Sequence, residues 1–497
     1  MTVAVLGSGP VGQTAALLLA RWGVPVVLVD EHEVRDPVGS KAICQQRDTL
    51  DVWASLGAGC LAEEGLTWTI ARTFHRDTEL FSLKLPDGGS ALPPFVNLSQ
   101  ARVEEVLDEL IAGQPLIDVR RGHRVTGLIQ PGRVVVECET AGGTRRIEAD
   151  YAIACTGARG DVVRRELGQR LAGVSFRDLF LICDIRADLP GWAAERRFYF
   201  DPPWNPGRQV LIHPCPDSEF RIDWQVPEDY DLAAEETGGA LDHRIRAIIG
   251  SVPYEVVWRS VYRFHTRLVP RMRVGRVLLA GDCAHLVAPF GARGLNSGVA
   301  DAENAAWKLA WVLRGDAGEE LLESYHSERH AAAVENAAVT TATMDFLVPQ
   351  DDGQRARRLD VLTRAAHDPA ACEQVDSGRL AEPYWYPDSP LTTPDPSRPF
   401  AGRPPRGALP PPGPGVLLPD VTVASGRLRD LARQGFLLLT TPGVAAAGLR
   451  SAEIPVGGAL GARPGEAWLV RPDAHVAAVL QDPAEASRAL QRCRGRE

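Results

Sequence analysis

At 497 residues, with 45% hydrophobic and 24% charged side chains, the chain has room for two to four domains and the composition of an ordinary globular protein. Its formal charge of −10 counts against nucleic acid or an anionic membrane surface as the main partner. It contains no 18-residue apolar run, and its N-terminal apolar run enters a glycine turn instead of a signal-peptide cleavage site, so a cytoplasmic protein without a membrane span is expected.

In chain order, the first feature is VAVLGSGPVGQTAALLLARWGVPVVLVDEHE, residues 3–33. An apolar strand, a glycine turn, a helix and a second apolar strand ending in acid make one strand–helix–strand unit. Gly7 allows the tight turn, Gly9 lets backbone approach a pyrophosphate, and Gly12 lets helix and strand pack closely. With Pro10 and Val11 they open a helix whose free N–H groups face the phosphates. Asp30 ends the second strand, where a carboxylate accepts from ribose hydroxyls, and Glu31 is the fallback for that role. The unit predicts a dinucleotide site without saying which dinucleotide.

The run DYAIACTGARG, 150–160, reads as a further parallel strand entering a turn, and alternation in RRFYFD, RQVLIHP and FRIDWQV predicts an antiparallel sheet over 175–265. GRVLLAGDCAH, 275–285, is an apolar strand ending in Gly-Asp, followed by the loop LVAPFGARG and a long helix stopped by Gly315. Helix continues to about 345. Proline and glycine are dense from 386 to 419, predicting a linker or an extended wrap, and strand-like runs resume after it. Nine scattered cysteines form no CxxC pair, so no metal site is expected.

The segment GDCAHLVAPFGARGLNSGVADAENAAWKLA, 281–310, resembles the flavin-binding segment of the class A FAD-dependent aromatic hydroxylases, the para-hydroxybenzoate and phenol hydroxylase group. The resemblance covers roughly residues 1–345. It implies FAD contacts at Gly281, Asp282, Gly294, Leu295 and Asn296, with Pro289 beside the reacting ring; Ala292 and Arg293 depart from the family's commoner Gly-Gly-Gln-Gly loop. ACTGARGDVVRRELG resembles the family's third motif: Gly157 and Arg164 match, and Thr156 replaces the family's Asp, which puts handling of the nicotinamide donor in question. By register Lys41 takes the place of the pyrophosphate Arg, with Arg47 as its substitute. VNLSQARVEEVL places Gln100 on FAD, with Arg102 nearby.

What the resemblance implies is an α/β (α+β overall) protein with a Rossmann-like FAD-binding domain in two parts, 1–174 and 269–385. An antiparallel substrate sheet is inserted at 175–268, then come a Pro/Gly-rich linker at 386–419 and a thioredoxin-like C-terminal module at 420–497. Its activity would be a monooxygenase: NAD(P)H reduces FAD, oxygen adds to form a C4a-hydroperoxide, and an electron-rich aromatic substrate is hydroxylated. The protein positions and shields while the cofactor carries the difficult step. Candidates on the sheet are Tyr199, His213, Arg221, Asp223, Trp224 and Tyr262, with His213 favoured as base because an imidazole titrates near neutral pH. Arg293 divides two readings, a buried partner of anionic flavin or substrate and a solvated surface cation. Baeyer–Villiger or epoxidation chemistry on a polyketide-like substrate, and a non-catalytic FAD-bearing interaction protein, are alternatives. A homodimer is compatible with the resemblance.

Overall fold

The structure is a computed structural model describing residues 1–35, 42–84, 90–405, 408–446 and 448–496. Val3–Leu6, Val26–Val29 and Tyr151–Ala154 are buried at every residue. Strands wet on neither face belong in a parallel sheet covered on both sides by helices. They form one, in the order Arg273–Val274, Val277–Leu279, Tyr151–Ala154, Val3–Leu6, Val26–Val29, Ile117–Arg120, with only the Arg273–Val274 edge antiparallel. The chain departs from Val3–Leu6 to one side and returns on the other, so a crevice opens beyond the carboxyl ends of the central strands. Three loops line this crevice: Gly7–Gly9, Cys155–Gly157 and Gly281–Cys283.

The antiparallel sheet reaches beyond 175–268. Its order is His285–Leu286, Tyr254–Leu268, Ala172–Ala187, Glu219–Val226, Gln209–Pro214, Glu195–Phe200, Ile70–His75, Thr78–Lys84. The last two strands come from the first 100 residues, and Glu195–Phe200 pairs in parallel with Ile70–His75. One face carries Leu181, Cys183, Val210, Ile212, Ile222 and Trp224 into an apolar core. The opposite face carries Phe180, Phe198, Phe200 and Leu211, and packs on Phe290 of the PFGARG loop. The sheet is thereby fixed over the glycine-rich loop.

Arg293–Leu313 is the long helix and Gly315, with φ +75°, follows its end. It lies against the helix Pro10–Arg21, so close that a Cβ on Gly298 would sit 2.6 Å from Val11 Cγ2. Glu323–Leu347 continues the helical region. Segment 386–419 takes the form of a wrap: Tyr386, Leu391, Val416, Leu417 and Leu418 are buried. After it, Ser451–Glu453, Leu437–Thr440, Ala467–Val470 and Val476–Leu480 form a four-stranded mixed sheet, with Ala486–Cys493 packed on it. Among the described residues no helix is long and apolar enough to cross a membrane.

Candidate active site

The glycine turn has the shape a pyrophosphate requires. Gly7 adopts φ +105°, and a Cβ on Gly12 would lie 1.8 Å from the Gly7 carbonyl oxygen, so neither position accepts a side chain. Gly9 differs: a Cβ there would meet nothing within 4 Å, and the residue faces a cavity of about 480 Å³. As N-cap of Pro10–Arg21 it has no side chain to cap the first turn, leaving N–H groups for a ligand anion. Open space at the one glycine that faces outward, beside a helix N-terminus, fits the diphosphate of FAD.

From that cradle the cavity continues past Glu31, Gln100, Thr156, Gly157 and Asp282, then Pro289, Arg293, Gly294 and Leu295, to the sheet. Its far wall is Trp68, Arg196, Leu211, His213, Arg221 and Asp223. Three segments expected at one cofactor, spread over more than 270 residues of sequence, therefore line one volume. Asp30 has a different place. Its Oδ2 accepts from Ser8 N–H at 2.8 Å and its Oδ1 from His32 N–H at 2.9 Å, so it braces the glycine turn while Glu31 lines the cavity. Gln100 holds Glu104 at 2.8 Å and accepts from Ala42 N–H at 3.3 Å.

Asn296 also turns away. It accepts from Gln46 N–H and donates to the Cys44 and Ala292 carbonyls, tying the loop to the strand Cys44–Gln46. Arg47 donates to the Leu92 carbonyl and is not on the cavity wall. Arg102 pairs with Glu64 and Glu105 on the surface. Lys41 lies outside the described residues. Thr156 donates to Cys283 Sγ at 3.2 Å, and the buried Arg164 donates to the Gly157, Ala158 and Cys283 carbonyls. The third motif is thus stapled to the Gly-Asp turn. Asp301, on the long helix, completes that turn: it accepts from Gly281 N–H at 3.0 Å, His285 Nε2 at 2.7 Å and Arg329 Nε at 2.7 Å.

Arg293 is 1% exposed, which removes its solvated reading. Its guanidinium donates to Asn336 Oδ1 at 2.7 Å and the Leu380 carbonyl at 3.2 Å, and burial lowers its pKa to about 10. Strand parity sorts five of the six candidates on the sheet, while Tyr262 shares the face of Phe180 and is excluded by its position along the sheet. His213, Arg221 and Asp223 line the cavity. Trp224 points into the opposite core, Tyr199 stacks on Phe74 at 4.6 Å, and Tyr262 is likewise off the cavity wall.

His213 is not poised near neutrality. Burial, together with Arg196 and Arg221, pushes its pKa well below 6.5, and the ring stays neutral. The group that titrates near neutral pH is Asp223, raised by burial to about 7 with Asp184 adding to the rise while Arg221 and Arg196 oppose it. Arg221 is held by Asp184 through two 2.7 Å bonds. Arg196 was not among the sequence candidates. It lies over the rings of Trp68 and Phe198, and donates to the Ser377 carbonyl. The alternation of RRFYF would have found it, since Arg196, Phe198 and Phe200 share one face and Tyr199 the other.

The FAD binding domain family matches residues 1–340. The chain is 32% identical over 353 residues to the 3-(3-hydroxy-phenyl)propionate/3-hydroxycinnamic acid hydroxylase of Mycolicibacterium gilvum, an alignment covering 67% of this chain and 58% of that protein. It is 30% identical over 416 residues to a flavin-dependent monooxygenase of Mycobacteroides abscessus, covering 78% and 84% respectively. Among solved structures, the flavin-dependent monooxygenase PieE in complex with FAD and substrate matches with a TM-score of 0.86 at 24% identity, over 100% of this chain and 99% of that one. At that identity the likeness is one of fold. Matched over more than half its length, the chain belongs to the FAD-binding domain family, among the class A FAD-dependent aromatic hydroxylases.

Proposed function

We propose that this protein uses NAD(P)H and dioxygen, with FAD as cofactor, to hydroxylate a phenolic or similarly electron-rich aromatic ring. The observation that carries this reading is the single cavity joining the Gly9 cradle to the polar wall of the antiparallel sheet. Gly9 and the first turn of Pro10–Arg21 would hold the diphosphate, Glu31 a ribose, Gln100 and Asp282 the chain beyond it. Gly294 and Leu295, at the start of the long helix, would back the ring system, where N–H groups favour negative charge. When bound, the flavin accepts the hydride and activates oxygen. The chain's own work is to orient and to exclude water: Trp68, Ile182, Leu211 and Phe290 give the substrate end apolar walls.

The hydroxylase of Mycolicibacterium gilvum acts on a phenol, which supports a phenolic substrate here. Arg196, Arg221 and Arg293 around the cavity support one that carries negative charge. All nine cysteines are unpaired, in keeping with a reducing, cytoplasmic setting.

The test is NADH and NADPH oxidation in air by the FAD-loaded protein against a panel of phenols, with product masses. A phenol that accelerates oxidation and gains one oxygen atom supports the reading. Acceleration without an oxygenated product from any aromatic removes it.

A further inference from the structure

The sheet wall of the cavity presents polar atoms that the protein leaves unmet. His213 lies opposite Arg221 and Leu211 opposite Asp223 on adjacent antiparallel strands, making His213 and Asp223 diagonal neighbours on one face. Asp223 Oδ1 and His213 Nδ1 are both shielded from solvent without a hydrogen-bond partner among the described residues. Both residues line the cavity. Buried polar atoms are nearly always paired, so two orphans side by side on a cavity wall mark where a ligand oxygen completes them.

We propose that Asp223 accepts the proton of the substrate's reacting hydroxyl, with His213 as second hydrogen-bond partner of the same oxygen; this rests on the aromatic hydroxylation proposed above. The phenol O–H bond breaks, its electron pair stays on oxygen as phenolate, and the proton bonds to Asp223 Oδ1. The charged and titratable groups around Asp223 are Arg221 on its own strand, Asp184 and Arg196 on neighbouring strands, His213, and Cys215 beyond the strand end. Arg196 and Arg221 offset the phenolate charge, and Asp184 keeps Arg221 in place. Burial raises Asp223 to about 7, so both of its forms exist at neutral pH, where a proton acceptor is most effective. His213, held neutral, does not compete for the proton and donates through Nδ1–H to the oxygen.

The experiment uses the FAD-loaded enzyme and its D223N and D223E variants, with FAD absorbance and melting temperature reporting folding. At pH 8 free 4-nitrophenol is a phenolate and Asp223 is ionised. Two adjacent anions share one proton, so binding to the wild type takes up close to one proton from the buffer, read calorimetrically in buffers of different ionisation enthalpy. D223N takes up none. With a phenol that ionises only at high pH, kcat/KM of the wild type falls below pH 7. D223N loses that limb along with about 10²–10⁴-fold of kcat, and D223E keeps it. Equal proton uptake by D223N, or an unchanged limb, overturns the assignment and leaves hydroxylation standing. A wild type that neither binds nor turns over any phenol overturns hydroxylation and this assignment with it.

Discussion

Gly9 and Gly12 stand three residues apart in one motif, and the space around them assigns opposite burdens. A methyl at Gly12 collides with the Gly7 carbonyl, and helix and strand must separate to admit it. Gly12→Ala should therefore lower the melting temperature of the FAD-free protein. Gly9 has extended backbone at φ −76°, and open space beyond it. Gly9→Val should leave the FAD-free melting temperature nearly unchanged while weakening FAD about tenfold or more, a loss of roughly 1.4 kcal/mol. Equal effects of the two variants on melting would refute that division of labour. Asp223 makes a second prediction. Its carboxyl is raised from 3.8 to about 7, so the folded state binds a proton more tightly than the unfolded chain. Stability accordingly falls as pH rises from about 4 to about 7, by on the order of 4 kcal/mol. Asp223→Asn removes that fall, and the melting difference between variant and wild type should widen from pH 5 to about pH 7 and level off above it. Parallel melting curves across that range would contradict it.

At the scale of elements, the Gly-Asp turn and the long helix act as one unit because Asp301 joins them. Of its three donors, Gly281 N–H and His285 come from the GDCAH turn and Arg329 from the helix Glu323–Leu347. Burial would raise this carboxyl, yet Arg329 and His285 hold it below its usual range. Asp301→Asn leaves the buried Arg329 without its carboxylate, an uncompensated charge that costs about 3–5 kcal/mol. The expected outcome is a lower melting temperature together with weaker FAD binding, because Asp282 lies in the turn and Gly294 at the start of the helix that Asp301 joins to it. Unchanged FAD affinity would show that the turn keeps its shape without Asp301. The strand, turn and helix of this segment were legible from GDCAH and the spacing of Val299, Ala302, Ala306 and Leu309. The junction was not, because Asp301 reads as one polar residue among several on a helix.

Across the whole molecule, charge clusters bind the C-terminal sheet to the FAD-binding part. Asp51 takes Arg427, Arg429 and Arg433, and Arg433 also reaches Glu303 at 2.7 Å. Glu328 meets Lys308 at 2.6 Å and Arg471 at 2.5 Å, and Arg471 closes on Asp473. Apart from the partly exposed Arg427 and Glu303 these groups are buried, so they contribute more to fixing the arrangement than surface pairs would. Burial opposes ionisation of Asp51, but the three guanidiniums prevail and lower its pKa to about 2. That contribution is present above the unfolded value near 4 and lost as pH falls through 2. Acid should therefore loosen the C-terminal sheet between pH 4 and 2, seen as selective proteolysis after residue 419, and Asp51→Asn should show the same cleavage at neutral pH. Ending the chain at residue 419 takes Arg433 from the partly buried Glu303 and Arg471 from the buried Lys308–Glu328 pair, and that shortened protein should aggregate.

The sequence by itself determined the local units. A glycine turn between an apolar strand and a helix, an acidic strand end, and a Gly-Asp strand running into a long helix are each set by neighbours in the chain, through backbone sterics and helix periodicity. Tertiary structure decided which polar side chains meet. Asp30 was legible as the strand-end acid, yet it is spent on Ser8 N–H and leaves Glu31 on the cavity wall. Tyr199 and Trp224 share runs with Arg196 and Asp223 but face away, because alternate residues of a strand point to opposite faces and only the packed partner says which face is the cavity. Arg293 is buried because Asn336 and Leu380, more than 40 residues later, close over it. The shifts at Asp223 and His213 follow from the same cause: burial and the proximity of Arg196 and Arg221 exist only once four strands are side by side.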